Sequence, residues 1–168
     1  SDVYKRQSYD LLEMMVKAVS LNGNFVLNFG PDGKGNIRSE ETKLAKEIGD
    51  WMKINKEAIY GTSHSTVQKQ DWGYFTQKGN KLYMCVFNRP INNLLKIEIP
   101  KGGIIPMKAY FLENNQETEI QNAGKNKRNS SLYHVAVPAS YKTDRPFVIV
   151  LEMQENTKEE GEYQQAKI

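Results

Sequence analysis

NGNFVLNFGPDGKGNI, residues 22–37, sets a turn, a short apolar run and a glycine-rich loop side by side. Its reading decides what kind of sheet the chain belongs to. Asn24 to Phe29 is too short for a helix and apolar on both faces, the pattern of a strand in a covered parallel sheet. Ahead of it, Leu12, Met15, Val16 and Val19 recur at i, i+3, i+4 and i+7, while Glu13, Lys17 and Ser20 face elsewhere. That spacing predicts an amphipathic helix over residues 8–22, with Asn22 and Gly23 suited to its C-terminal cap. Beyond the loop, Ser39 followed by Glu40 and Glu41 is an N-cap with acids in the first turn, where they satisfy free amides and complement the helix dipole. Leu44, Ile48, Trp51 and Met52 continue a second helix, and AIYGT (58–62) closes it with Gly61 near the stop.

From Trp72 onward the period changes. GYFTQ, KLYMCVF, LLKIEIP, IPMKAYFL, ETEIQ, LYHVAVP and PFVIVLE are short alternating runs separated by turn residues, and no helical segment intervenes. The pattern predicts an antiparallel β-sandwich. The expected fold is therefore an α/β fragment, helix–strand–helix, followed by an all-β antiparallel sandwich. The units run over 8–62 and 63–153, and the tail 154–168 carries too little to bury and reads as disordered. A lone parallel strand leaves both edges unpaired, and each buried unpaired amide or carbonyl costs roughly 1–3 kcal/mol. The strand at 24–29 thus implies partner strands in a longer parent chain.

Composition narrows the function classes. The 168 residues are 39% hydrophobic and 26% charged, the balance of a soluble globular protein, and no apolar run approaches the roughly 18 residues of a membrane helix. The net charge of +3 is spread along the chain, which argues against a nucleic-acid partner. A single cysteine, Cys85, excludes an internal disulfide and any cysteine-rich zinc site, and its alternating surroundings make it a small buried hydrophobe. SDVYKRQ (1–7) has neither a signal peptide's apolar core nor an initiating methionine, which suggests a chain cut from something longer. Those seven residues are set aside from the fold expectation.

Three chemistries for GPDGKG fail on spacing. A P-loop requires Ser or Thr after Gly33-Lys34 but Gly35 stands there, and Pro31 removes an amide from the cradle. A calcium loop begun at Asp32 would place ligands at Lys34 and Lys43. A dinucleotide fingerprint must open directly into a helix, yet Ile37 to Ser39 intervene. What remains is a βα loop at the carboxyl end of a strand, where barrels and open sheets seat ligands. Gly33, Gly35 and Pro31 suffice to make the turn; Asn28, Phe29 and Asp32 either complete it or line a pocket.

DLLEMMVKAVSLNGNFVLNFGPDGKGNI (10–37) followed by EIGDWMKINKEAIYGT (47–62) closely resembles the end of the catalytic barrel in glycoside hydrolase family 29, the α-L-fucosidases. The shared form is an Asn-Gly-Asn turn, an apolar strand closing in Asn-x-Gly-Pro, an Asp-Gly loop, and a helix carrying Gly-Asp-Trp and ending Glu-Ala-Ile-Tyr-Gly-Thr. WGYFTQKGNKLYMCVFNRP (72–90) with FVIVLEM (147–153) resembles, less sharply, the β-sandwich that follows that barrel. The resemblance implies a retaining exo-glycosidase acting on terminal α-L-fucose of glycans, with no metal or organic cofactor, in a secreted, periplasmic or lysosomal setting. Retention requires two carboxyl groups roughly 5–5.5 Å apart. In the family both lie upstream of the matching region, so this chain is expected to hold no catalytic residue and to be inactive alone, with the missing upstream barrel as its structural partner. Asn28, Phe29, Gly30, Pro31 and Asp32 match the last barrel strand and its loop, and would stand at the rim of the fucose pocket. The alternative is a carbohydrate-binding or interaction module without catalysis.

Other signals have plainer readings. Trp72, Tyr74 and Phe75 suit a sugar-stacking platform, or core or interdomain packing where the sandwich docks on the last helix. Lys125, Lys127 and Arg128 form a solvated hairpin, His134 a surface position, and Asn129-Ser130-Ser131 fits the glycosylation pattern.

Overall fold

The computed structural model describes residues 2–22 and 39–154. The strand expected at 24–29, the glycine-rich loop and the tail from residue 155 onward lie outside the described residues. Two helices, α1 (Asp2–Asn22) and α2 (Ser39–Asn55), precede nine strands: β1 (Ser63–His64), β2 (Gly73–Lys78), β3 (Lys81–Val86), β4 (Leu94–Ile99), β5 (Ile105–Phe111), β6 (Glu117–Thr118), β7 (Ile120–Lys125), β8 (Ser131–Ala136) and β9 (Phe147–Gln154). One sheet of six strands runs β1-β2-β3-β9-β5-β6, a second of three runs β4-β8-β7, and every described pairing is antiparallel.

Both helices carry the periodicity read from the sequence: Leu12, Met15, Val16 and Val19 are buried on α1, Ile48 and Trp51 on α2. The first helix begins at Asp2, so residues 2–7 belong to the fold instead of standing apart from it. Ser8 is buried and its hydroxyl donates to the Lys5 carbonyl, while the Lys5 ammonium lies 2.6 Å from Asp144. The Lys5–Asp144 tie, absent from any local pattern, joins the first turns to the segment before β9. The second helix stops at Asn55 and passes through a 3-10 turn, Lys56–Ala58, into Gly61, whose φ of 71° is the left-handed geometry glycine tolerates.

Strand alternation builds two cores on opposite faces of the six-stranded sheet. Leu82, Met84 and Val86 of β3, with Phe147, Ile149 and Leu151 of β9, point toward Leu95, Ile97 and Ile99 of β4 and Val135 of β8. Tyr83, Cys85, Val148 and Val150 point the other way, into Leu12, Val16, Ile48 and Trp51 of the helices. At the edge of this arrangement Gly73 is crowded, since a Cβ there would stand 2.0 Å from the Cys85 carbonyl oxygen. No side chain fits, which lets β2 close on β3.

ETEIQ, expected as one strand, divides: β6 pairs with β5 in the large sheet, and β7 pairs with β8 in the small one. The chain thereby crosses from one layer to the other. A second tie joins the layers at Trp72, whose indole N–H donates to the Lys96 carbonyl of edge strand β4 at 2.8 Å. Trp72→Phe keeps the buried ring and removes that donor. It should lower stability by about 1–3 kcal/mol, read as a lower urea midpoint at unchanged slope; an unmoved midpoint would show the bond contributes nothing.

Candidate functional site

The residues expected at the pocket rim, Asn28, Phe29, Gly30, Pro31 and Asp32, lie outside the described residues. What the structure describes is the platform carrying the two helices that bracket them, α1 ending at Asn22 and α2 beginning at Ser39.

Three polar contacts hold α1. The Tyr9 hydroxyl donates to the Phe87 carbonyl, and its ring meets Phe87 edge-on with centroids 5.6 Å apart. Tyr74 donates to Glu13 at 3.1 Å, and Lys5 pairs with Asp144 at 2.6 Å. On α2 the Trp51 indole donates to the Pro146 carbonyl at 2.9 Å, and Glu47 accepts from Arg145 at 3.0 Å. The following turn is fastened by Thr76, fully buried, donating to the Ala58 carbonyl at 2.7 Å, and by Tyr83 donating to Glu57 at 2.7 Å.

Among the described residues, four carboxylates accept from tyrosine hydroxyls. Glu13, Glu57 and Glu152 accept from Tyr74, Tyr83 and Tyr110, and Glu113 accepts from Tyr141. These carboxylates are engaged in structural contacts. Burial, and secondarily Glu13, pushes the Tyr9 phenol up to about 12; burial and the Glu152 bond do the same for Tyr110. Tyr83, Tyr74 and Tyr141 are raised as well, burial being the main cause. Exposed Asp144 is lowered, chiefly by its hydrogen bond from Lys5.

The remaining sequence candidates fall in unremarkable places. Cys85 is fully buried, its thiol pushed up to about 12 by burial alone, as befits a small core residue. Trp72, Tyr74 and Phe75 form no platform: all three are buried in the core, and only Tyr74 faces the helices, donating to Glu13 of α1. Alternation sends Phe75 to the opposite face, where Trp72 packs edge-on against it at 5.0 Å. His134 lies half-buried on β8 between Lys96 and Gln121, less open than the surface position expected for it. Lys125, Lys127 and Arg128 are exposed on the β7–β8 hairpin. Among the described residues no cluster of three His, Cys, Asp or Glu side chains is placed to hold a metal ion. Glu13, Glu47, Trp51 and Arg145, which position the helices, were not singled out by sequence reasoning. Their partners lie from about sixty to about a hundred residues away, and only the common face of Tyr74 and Tyr83 along their strands hints at them.

The family model described as Alpha-L-fucosidase matches residues 2–57, the span from the start of α1 to the turn after α2. The glycoside hydrolase family 29 α-L-fucosidase of Bacteroides thetaiotaomicron superposes with a TM-score of 0.78 at 36% identity, over 88% of this chain and 32% of its own. Over residues 2–57 the chain matches the α-L-fucosidases. Among the family's curated members, the Dictyostelium discoideum α-L-fucosidase is 36% identical over 98 residues, 56% of this chain and 21% of that protein. Human tissue α-L-fucosidase is 33% identical over 96 residues, 54% of this chain and 20% of that protein. The chain therefore spans about a fifth of the length of these curated relatives and about a third of the solved structure.

The buried phenols and thiol set an alkaline limit. Cys85, Tyr9 and Tyr110 stand near 12 when folded, above ordinary values of 9.0 and 10.0, so the folded chain keeps protons that the unfolded chain releases. Their contribution is complete below pH 9 and is lost as pH climbs toward 12. Urea midpoints should fall across that window, and Cys85→Ala should make the fall shallower; a flat profile in the parent chain would contradict these assignments.

Proposed function

We propose that this chain is part of a retaining α-L-fucosidase that hydrolyses terminal α-L-fucose from glycans. Residues 8–62 supply the last helix–strand–helix of a (β/α)8-like catalytic barrel, and residues 63–153 form the sandwich behind it. The observation that carries this reading is the family match over residues 2–57, which spans both helices and the loop between them. The Bacteroides thetaiotaomicron relative adds chemical support, having been trapped as a covalent intermediate with 2-fluoro-fucosyl fluoride, the species a retaining mechanism forms.

In this reading the nucleophile and the acid/base belong to the rest of the fold, and the present residues position the pocket wall. Asn28 closes the final barrel strand. Phe29 offers an apolar face to the methyl-bearing side of fucose, and Gly30, Pro31 and Asp32 turn the chain at the rim. The helix anchors at Tyr9, Trp51 and Arg145 keep that turn from drifting, and displacements near 1 Å can cost about a hundredfold in rate. No metal or organic cofactor enters the chemistry.

A graft tests this directly. Residues 8–153, placed in the Bacteroides thetaiotaomicron enzyme in exchange for its matching third, should give turnover of an aryl α-L-fucoside with retained configuration, while the 168-residue chain alone shows none above a mock preparation. Phe29→Ala in the graft should raise KM roughly two- to tenfold, the equivalent of about 0.5–1.5 kcal/mol of aromatic contact. An unchanged KM would remove Phe29 from the pocket. A folded but inactive graft would defeat the reading as a whole.

A further inference from the structure

A cleft of about 220 Å³ opens between the C-terminal half of α1 and residues 65–69, apart from the contacts that anchor the helices. Its floor is Val67 and Phe75, both buried, and Leu21 stands at its lip, 68% exposed. Around this apolar base the described lining residues carry two ammonium groups, Lys17 and Lys69, and no carboxylate. Lys69 is held with its nitrogen 5.2 Å from the Tyr74 ring centroid, and a cation over an aromatic face is positioned without being neutralised. Tyr74's hydroxyl meanwhile engages Glu13 at 3.1 Å, so that acid is already occupied. Lys17 makes no ion pair among the described residues.

We propose that this cleft is an ancillary subsite for a single sugar ring bearing one anionic substituent, a carboxylate or a sulfate ester. Size sets the single ring, because the space falls below the roughly 300 Å³ at which sites for drug-sized ligands begin. Charge sets the anion, since two cations with no acid in the wall attract a negative group and penalise a positive one. The apolar base sets the sugar over a bare ion, offering contact to the ring's C–H face. The choice of a glycan rests on the α-L-fucosidase reading, but the test reads binding by this chain and can fail or succeed whatever the graft's turnover.

Backbone amide shifts of the 168-residue chain would be followed by NMR during titration with methyl α-N-acetylneuraminide, N-acetylglucosamine 6-sulfate, neutral N-acetylglucosamine and inorganic sulfate. At least one charged sugar should shift amides of residues 17–21 and 65–69, and bind at least about fivefold tighter than both the neutral sugar and the bare ion. Lys17→Ala and Lys69→Ala should each weaken that binding roughly fivefold, Lys17→Arg should retain it, and added salt should weaken it. Response to one charged sugar alone identifies the substituent. The proposal falls if the neutral sugar or inorganic sulfate binds equally well, if the lysine substitutions change nothing, or if none of the four moves these amides.

Discussion

The β3–β9 ladder is covered on both faces, and every other layer takes its place from that. From Leu82 to Val86 and from Phe147 to Leu151 each residue is buried, whichever way it points. A strand pair with a dry backbone on both sides must be flanked by two apolar surfaces. The three-stranded sheet supplies one and the helix pair the other. Removing either cover would expose a continuous apolar face, so helices and sheets share their cores instead of standing as separable units.

Apolar burial brings the helices onto the sheet but does not fix their rotation or sliding, because dispersion and hydrophobic contact are weakly directional. The polar contacts at the margin of that interface supply direction. Thr76, Tyr83, Val150 and Tyr110 lie in register across four neighbouring strands on the helix-facing side, and three of the four send a hydroxyl to a carbonyl or carboxylate. Trp51 and Arg145 do the same for α2. In the proposed fucosidase these contacts connect the sheet domain to catalysis by holding the bases of the loop that rims the pocket.

Much of this was legible along the chain. The 12-15-16-19 stripe of α1 and the alternation in KLYMCVF and PFVIVLE are local properties, set by helix pitch and strand pleat, and the structure buries those residues. Reading failed where the deciding partner was distant. SDVYKRQ looked expendable until Lys5 met Asp144, 139 residues away. ETEIQ looked like one strand because nothing local says that β6 belongs to one sheet and β7 to another. Trp72, Tyr74 and Phe75 do pack in the core, but alternation places Tyr74 on the opposite face from the other two.

The sequence by itself determined, among the described residues, where helix gives way to strand and which residues seek burial, because pitch and pleat are encoded within a few residues of one another. It also carried the spacing that excludes phosphate-loop, calcium-loop and dinucleotide chemistry for residues 30–35. Only the tertiary structure decided that the six-stranded sheet is buried on both sides, which tyrosine meets which glutamate, and where a cleft opens beside α1. Those outcomes depend on residues that become neighbours only after the chain has closed on itself, and no local pattern records the distance between them.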